Sequence, residues 1–238
     1  MNIAIIKAGG VGSRMGARIP KQFVCVDGKP VIIYTLEAFE QHPGIDAIVV
    51  VCLEGWHDIL RTYAQKFKIT KLTRIVNGGE TSLKSIQAGV QEVTEMYGPD
   101  DTVLIHDGNR PMLSQDIISD VLAQCKLHGA AVAAIPCTDE VMETDGEHLE
   151  SEKFLNRKTL YRIQTPDAYR LSVAKELFEN ATEEQLMTLG ATNTLMIALG
   201  NKVHFAQGSE LNIRLTTQED IALFESLLAL RNREENVS

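Results

Sequence analysis

The chain has 238 residues, with 23 Lys+Arg against 32 Asp+Glu, a formal net charge of −9. A hydrophobic share of 44% and a charged share of 23% describe an ordinary globular protein able to bury a substantial core. The acidic balance argues against coating nucleic acid or an anionic membrane, and no apolar run approaches the roughly 20 residues of a membrane span.

In chain order, Asn2–Ile6 reads as a buried first strand. Helical periods follow at Val31–Glu40, Trp56–Phe67, Thr81–Met96 and Ser114–Leu127. Between them lie apolar strands at Asp46–Leu53, Lys71–Val76, Thr102–His106 and Ala130–Pro136. Continuous apolar strands alternating with helices predict an α/β domain: a mainly parallel sheet covered by helices on both faces. From residue 138 to 163 the chain turns polar and loses helical period, which predicts an extended arm leaving the body. Helical patterns resume at Leu171–Asn180, Ala191–Leu199 and Thr217–Asn232, with a short strand at Lys202–Ala206. Thr217 and Asp220 have the spacing of a capping box. With no internal repeat or low-complexity linker, residues 1–238 read as a single domain carrying one arm. Cys25, Cys52, Cys125 and Cys137 sit singly in apolar runs and read as buried free thiols of a cytoplasmic protein.

The net charge conceals an asymmetry. Residues 1–30 carry +4 and the remainder −13. Most of the cations fall in Lys7-Ala8-Gly9-Gly10-Val11-Gly12-Ser13-Arg14-Met15-Gly16, directly after the first strand, and in Pro20-Lys21-Gln22-Phe23 beyond it. Glycines after a strand let backbone N–H groups approach a phosphate. The dinucleotide fingerprint G-x-G-x-x-G fails at Met15, and the P-loop fails because Ala17 follows Gly16. A guanidinium at Arg14 and an ammonium at Lys21 suit a nucleoside triphosphate instead.

Further segments end strands, lie in the arm or follow it. His106-Asp107-Gly108-Asn109-Arg110-Pro111 closes the fourth apolar strand, where open α/β sheets collect ligands. Asp107 there could hold a triphosphate-bound divalent metal or accept from a hydroxyl, and Arg110 could bind phosphate or pair with Asp107. Asn77-Gly78-Gly79-Glu80-Thr81-Ser82, with Ser85 one turn on, opens a helix and reads alone as an ordinary N-cap, or as a turn that admits a flat ring. Arg157, Gln164-Thr165-Pro166 and Asn212-Ile213-Arg214-Leu215-Thr216-Thr217 each read alone as polar surface. The histidines are scattered without zinc-site spacing, and no G-x-S-x-G elbow occurs.

Taken together in this order, AGGVGSRMG…PKQF, NGGET, HDGNRP, NRKTLYRIQTP and NIRLTTQED resemble the motifs of the cytidylyltransferases that form CDP-polyols. That family includes the 2-C-methyl-D-erythritol 4-phosphate and D-ribitol 5-phosphate enzymes, and the likeness spans nearly the whole chain. The resemblance implies a Rossmann-like nucleotidyltransferase fold of the glycosyltransferase-A type. It implies that Ala8, Gly9, Gly10, Val11 and Gly12 cradle the triphosphate of CTP. Gly79, Glu80 and Ser85 would surround the base, and Asp107 would lie near the ribose and a Mg²⁺ ion. Arg14, Lys21 and Arg214 would be the catalytic cations. Arg110, Arg157 and Thr165 would meet the phosphate of the polyol acceptor. The arm would join a homodimer, with Arg157 serving the partner's site.

Four positions depart from the family pattern. Arg214 replaces a lysine, Glu140 a threonine, Asn193 an aspartate and Asp167 a glutamine. These departures cluster in the acceptor half. They favour a pentitol phosphate such as ribitol 5-phosphate, destined for surface polymers, over methylerythritol phosphate, destined for isoprenoids.

Overall fold

The computed structural model describes residues 1–10, 19–147 and 149–235. Strand β1 (Asn2–Ala8) is buried on both faces. Ile3 and Ile5 point into one core, and Ala4, Ile6 and Ala8 into the other. A hairpin of β2 (Cys25–Val26) and β3 (Lys29–Pro30) follows. Then come α1 (Val31–Gln41), β4 (Ala47–Cys52), α2 (His57–Lys66), β5 (Leu72–Asn77) and α3 (Ser82–Met96). The chain continues with β6 (Thr102–Asp107), α4 (Gln115–His128) and β7 (Ala130–Pro136). Beyond these lie β8 (Val141–Glu143), β9 (Lys153–Leu155), β10 (Tyr161–Arg170) and α5 (Leu171–Asn180). The remaining elements are α6 (Glu183–Thr188), α7 (Thr192–Ala198), β11 (Phe205–Gln207) and α8 (Gln218–Glu235).

Seven strands form one sheet in the order β11-β7-β10-β6-β1-β4-β5. β1 is parallel to β4 and β6, β4 to β5, and β7 to β11; β10 is antiparallel to both its neighbours. Side chains of α1, α2 and α4 fill the core on one face, and those of α3, α5, α6 and α7 the other. α8 closes over the β2–β3 hairpin, where Phe224 meets the edge of Tyr34 at 5.2 Å. Thr81 and Ser114 cap α3 and α4 by accepting from Lys84 N and Ile117 N. Thr217 and Asp220 bond each other's backbone N–H, so the predicted capping box is built.

Strand β10 is the main correction. The polar stretch over 138–163 predicts an arm, but the hairpin ends at Leu155, and residues 161–170 enter the sheet between β6 and β7. The sequence conceals this strand because it carries Pro166 and two polar residues that are nonetheless buried, Gln164 and Asp167. Each has an internal partner: Gln164 donates to Ser209 O at 2.8 Å, and Asp167 accepts from Tyr169 Oη at 2.7 Å. The cysteine expectation is corrected at one position. Cys52 and Cys125 are buried and Cys137 partly so, but Cys25 is exposed, because the hairpin pleat turns Val26 inward instead. No helix among the described residues is long and apolar enough to cross a membrane.

Candidate active site

The carboxyl ends of β1 and β6, the turn after β5 and the segment before α8 converge on one cavity of about 300 Å³. Its first wall is the start of the glycine-rich loop. Gln22, almost wholly buried, donates to Ala8 O at 2.6 Å and Gly10 O at 3.2 Å, which pins the loop to the short 3₁₀ turn Lys21–Phe23. Gly9, Gly10 and Lys21 line the cavity, and Ala8 is buried behind them. The expected contacts of Val11, Gly12 and Arg14 fall outside the described residues.

The second wall is the turn into α3. Ser85 Oγ accepts from Gly79 N at 3.0 Å and donates to Gly79 O at 3.2 Å, folding the turn back on its helix. A Cβ on Gly79 would stand 2.6 Å from Lys84 Cβ and 2.9 Å from Lys84 C, so only glycine fits. Gly79, Glu80, Ser82 and Ser85 all face the cavity.

The floor is built around Asp107. Lys7 Nζ lies 2.9 Å from Oδ1, while Arg110 Nε and Arg214 NH1 lie 3.4 and 3.8 Å from Oδ2. Burial alone would raise the Asp107 carboxyl, but Lys7 and Arg110 together outweigh it and hold the group well below the usual carboxylate range. Arg110 is itself buried and donates from NH1 to Asn212 O at 2.6 Å, fastening the 212–215 segment to β6. Asn109 reinforces this with a bond to Leu215 O. Arg214 is thereby held at the cavity edge with its side chain about half exposed.

Behind Asp107 runs a chain of hydrogen bonds. Asp107 N donates to Thr165 Oγ1 at 3.2 Å, Thr165 Oγ1 lies 3.1 Å from His106 Nδ1, and His106 Nε2 lies 3.2 Å from Arg110 O. A carbonyl only accepts, so Nε2 carries the proton and Nδ1 accepts from Thr165. Burial lowers the His106 pKa to about 4, so the ring is neutral and structural. Burial also raises Asp167 to about 7 despite the bond from Tyr169.

Thus Gly9, Gly10, Lys21, Gly79, Glu80, Ser85, Asp107 and Arg214 share one cavity. Arg110 donates to the Asp107 carboxylate and Thr165 Oγ1 accepts from the Asp107 backbone N–H, and neither residue lines the cavity. Arg157 lies apart in the arm, where NH1 bonds Thr138 O at 2.8 Å and pairs with Glu140 at 3.1 Å. Glu140, one of the four departures from the family pattern, therefore faces Arg157. Sequence reasoning places Lys7, Gln22 and Ser82 within the motifs but gives them no role; a lysine closing the apolar run of β1 is the signal for the first.

The family model described as IspD, 2-C-methyl-D-erythritol 4-phosphate cytidylyltransferase, matches residues 2–230. The chain belongs to the IspD family of cytidylyltransferases. Among its relatives, the ribitol-5-phosphate cytidylyltransferase of Lacticaseibacillus paracasei is 43% identical over 96% of this chain and 98% of that one. The ribitol-5-phosphate cytidylyltransferase of Vibrio parahaemolyticus is 36% identical over 96% of each chain. The 2-C-methyl-D-erythritol 4-phosphate cytidylyltransferase of Lachnospira eligens is 35% identical, covering 94% of this chain and 97% of that one. Among solved structures, 4-diphosphocytidyl-2C-methyl-D-erythritol synthase from Anaerococcus prevotii superposes with a TM-score of 0.80 at 27% identity, over 96% of each chain. The IspD family fold is thus the α/β sheet described above, and the chain is a nucleotidyltransferase.

Proposed function

We propose that this chain condenses CTP with ribitol 5-phosphate, or a close pentitol phosphate, to a CDP-polyol and pyrophosphate, as a step towards a surface polymer. The observation that carries the acceptor is the 43% identity to a ribitol-5-phosphate enzyme over nearly the full length of both chains. The departures at Glu140, Asp167, Asn193 and Arg214 agree with it.

In this reading the triphosphate lies against Gly9, Gly10 and Lys21, with Arg14 from the same loop. The base enters the turn of Gly79 and Ser85, beside Glu80. The acceptor phosphate approaches Arg214. One of its oxygens attacks the α-phosphorus of CTP, the bond to the β-phosphate bridging oxygen breaks, and pyrophosphate leaves with that electron pair. A phosphate monoester is already ionised near neutral pH, so no strong general base is needed. The work is positioning and charge stabilisation by Lys21, Arg14 and Arg214.

Among the described residues no group of three or more His, Cys, Asp or Glu side chains could cage a metal. The carboxylate of Asp107 instead suits a Mg²⁺ ion that arrives on the triphosphate, since Mg²⁺ keeps waters and phosphate oxygens and asks for one or two carboxylates. A carboxylate has about four acceptor sites, so the bonds from Lys7 and Arg110 leave Asp107 capacity for it. Such an ion neutralises triphosphate charge when bound.

The arm supports a homodimer. Met142 and Phe154 face each other across β8 and β9 with 65% and 76% of their surface exposed, an apolar pair suited to a second copy. Arg157 would then meet the acceptor phosphate in the partner's site.

The test is product formation. CTP with ribitol 5-phosphate should release one pyrophosphate per CDP-ribitol formed, and CTP alone should release none. Pyrophosphate release that ignores the acceptor, or no CDP-polyol with any acceptor, would overturn the reading.

A further inference from the structure

The cavity floor holds more positive charge than the chain itself balances. Lys7, Arg110 and Arg214 all lie within 4 Å of the single carboxylate of Asp107. Lys7 extends the Ile3 and Ile5 row of β1 to the end of the strand, so its stem leaves the apolar core and its ammonium reaches the cavity. There it bridges two elements, pairing with Asp107 Oδ1 at 2.9 Å and donating to Ser82 Oγ at 2.9 Å. An ammonium has three donors. Among the described residues two are engaged, and Lys7 still lines the cavity with about a quarter of its side chain exposed. Asp107 carries one negative charge and Arg110 and Arg214 face it as well, so the three cations exceed what it balances.

We infer that Lys7 binds the nucleotide, giving its third proton to a non-bridging oxygen of the α-phosphate. The inference rests on the nucleotide reading given above. It follows from place as well as charge. Lys7 bonds Ser82, one turn before the base-facing Ser85, and lies on β1 two residues before the triphosphate-facing Gly9, which follows the strand. A cation between the base turn and the phosphate loop meets the phosphoryl group nearest the sugar. That group is the reacting centre, so Lys7 acts beside Lys21 as a catalytic cation. Ser82 and Asp107 are its positioning residues, holding the flexible ammonium in one place.

The test is calorimetric binding of CMP, cytidine and pyrophosphate to the wild type and to Lys7→Met, with thermal melts of both. A charge-assisted hydrogen bond predicts that K7M weakens CMP about 10–100-fold. Cytidine and pyrophosphate should change less than threefold, and kcat should fall along with CMP affinity. Unchanged CMP affinity would overturn the inference. So would an equal loss for CMP and cytidine, because Lys7 would then be shaping the base turn. Should K7M not fold, Lys7→Gln makes the same comparison while keeping one bond to Asp107 or Ser82. If the wild type binds neither CMP nor CTP, the nucleotide reading itself falls, and that outcome is distinct from a K7M variant that binds normally.

Discussion

The cavity floor and the arm use the same chemistry to opposite ends. In the floor, Asp107 and Arg110 are buried, paired with each other and tied into β6, β10 and the 212–215 segment. In the arm, Glu140 and Arg157 are paired but exposed, beside the uncovered Met142 and Phe154. The buried pair fixes geometry before any ligand arrives, because breaking it strands a charge away from water. The exposed pair fixes little, because water screens it and either partner is solvated alone. The floor is therefore fixed in advance as a charged cavity, and the arm is an exposed surface where the proposed dimer would form.

Four variants would sharpen or break this contrast. Lys21→Ala has the largest expected effect. Loss of a well-aimed charge donor costs about 3–4 kcal/mol of transition-state stabilisation, on the order of 10²–10³ in kcat, with folding unchanged. Near-wild-type turnover would remove Lys21 from the chemistry. Arg110→Met comes next. It leaves Asn212 O without its donor and weakens the compensation of a buried carboxylate. About 3 kcal/mol of stability should be lost, readable as a lower urea midpoint. An unchanged midpoint would mean that the floor is held by other contacts.

The arm gives smaller effects on the fold. Met142→Ser with Phe154→Ser should shift the sedimentation coefficient from dimer to monomer while leaving CTP affinity within about twofold, since an exposed pair holds little of the fold together. A dimer that survives places the interface elsewhere. Asp167→Asn has the mildest signature. Asp167 faces Tyr169 on its own strand, and it feels Lys7 on β1 and Asp107 on β6. Its folded pKa of about 7 stands above the unfolded carboxylate value, so the native state holds the extra proton between roughly pH 4 and 7. Wild-type stability from this group therefore falls as pH rises through that window. The stability of D167N relative to wild type should climb from pH 4 to 7 and level off above. A flat difference across that range would show that Asp167 is ionised throughout.

Most of the fold is legible in the sequence, because β1, β4, β6 and β7 each carry a run of apolar residues buried on both faces. Strand β10 is not, because its buried polar residues are paired: Gln164 with the distant Ser209 and Asn212, and Asp167 with Tyr169. Pattern reports burial of apolar groups and is silent on burial of paired polar ones. Helix α6 has its signal in plain sight, with Thr182 and Gln185 forming a complete capping box, but its six residues carry too short a period to read. In the site, the walls are legible because glycines mark them. The floor is legible in its members, Asp107, Arg110 and Arg214, but not in their division of labour. Only the folded chain separates Arg110, committed to Asn212, from Arg214 at the cavity edge. Lys7 escapes for the complementary reason: one lysine at a strand end carries no pattern until β6 and α3 bring Asp107 and Ser82 to it.

The most direct test of the central claim is the acceptor ratio. With CTP saturating, kcat/KM should be measured for ribitol 5-phosphate and for 2-C-methyl-D-erythritol 4-phosphate by pyrophosphate release, with each CDP product identified by mass. The account predicts at least a tenfold preference for ribitol 5-phosphate. Preferred turnover of methylerythritol phosphate would contradict it.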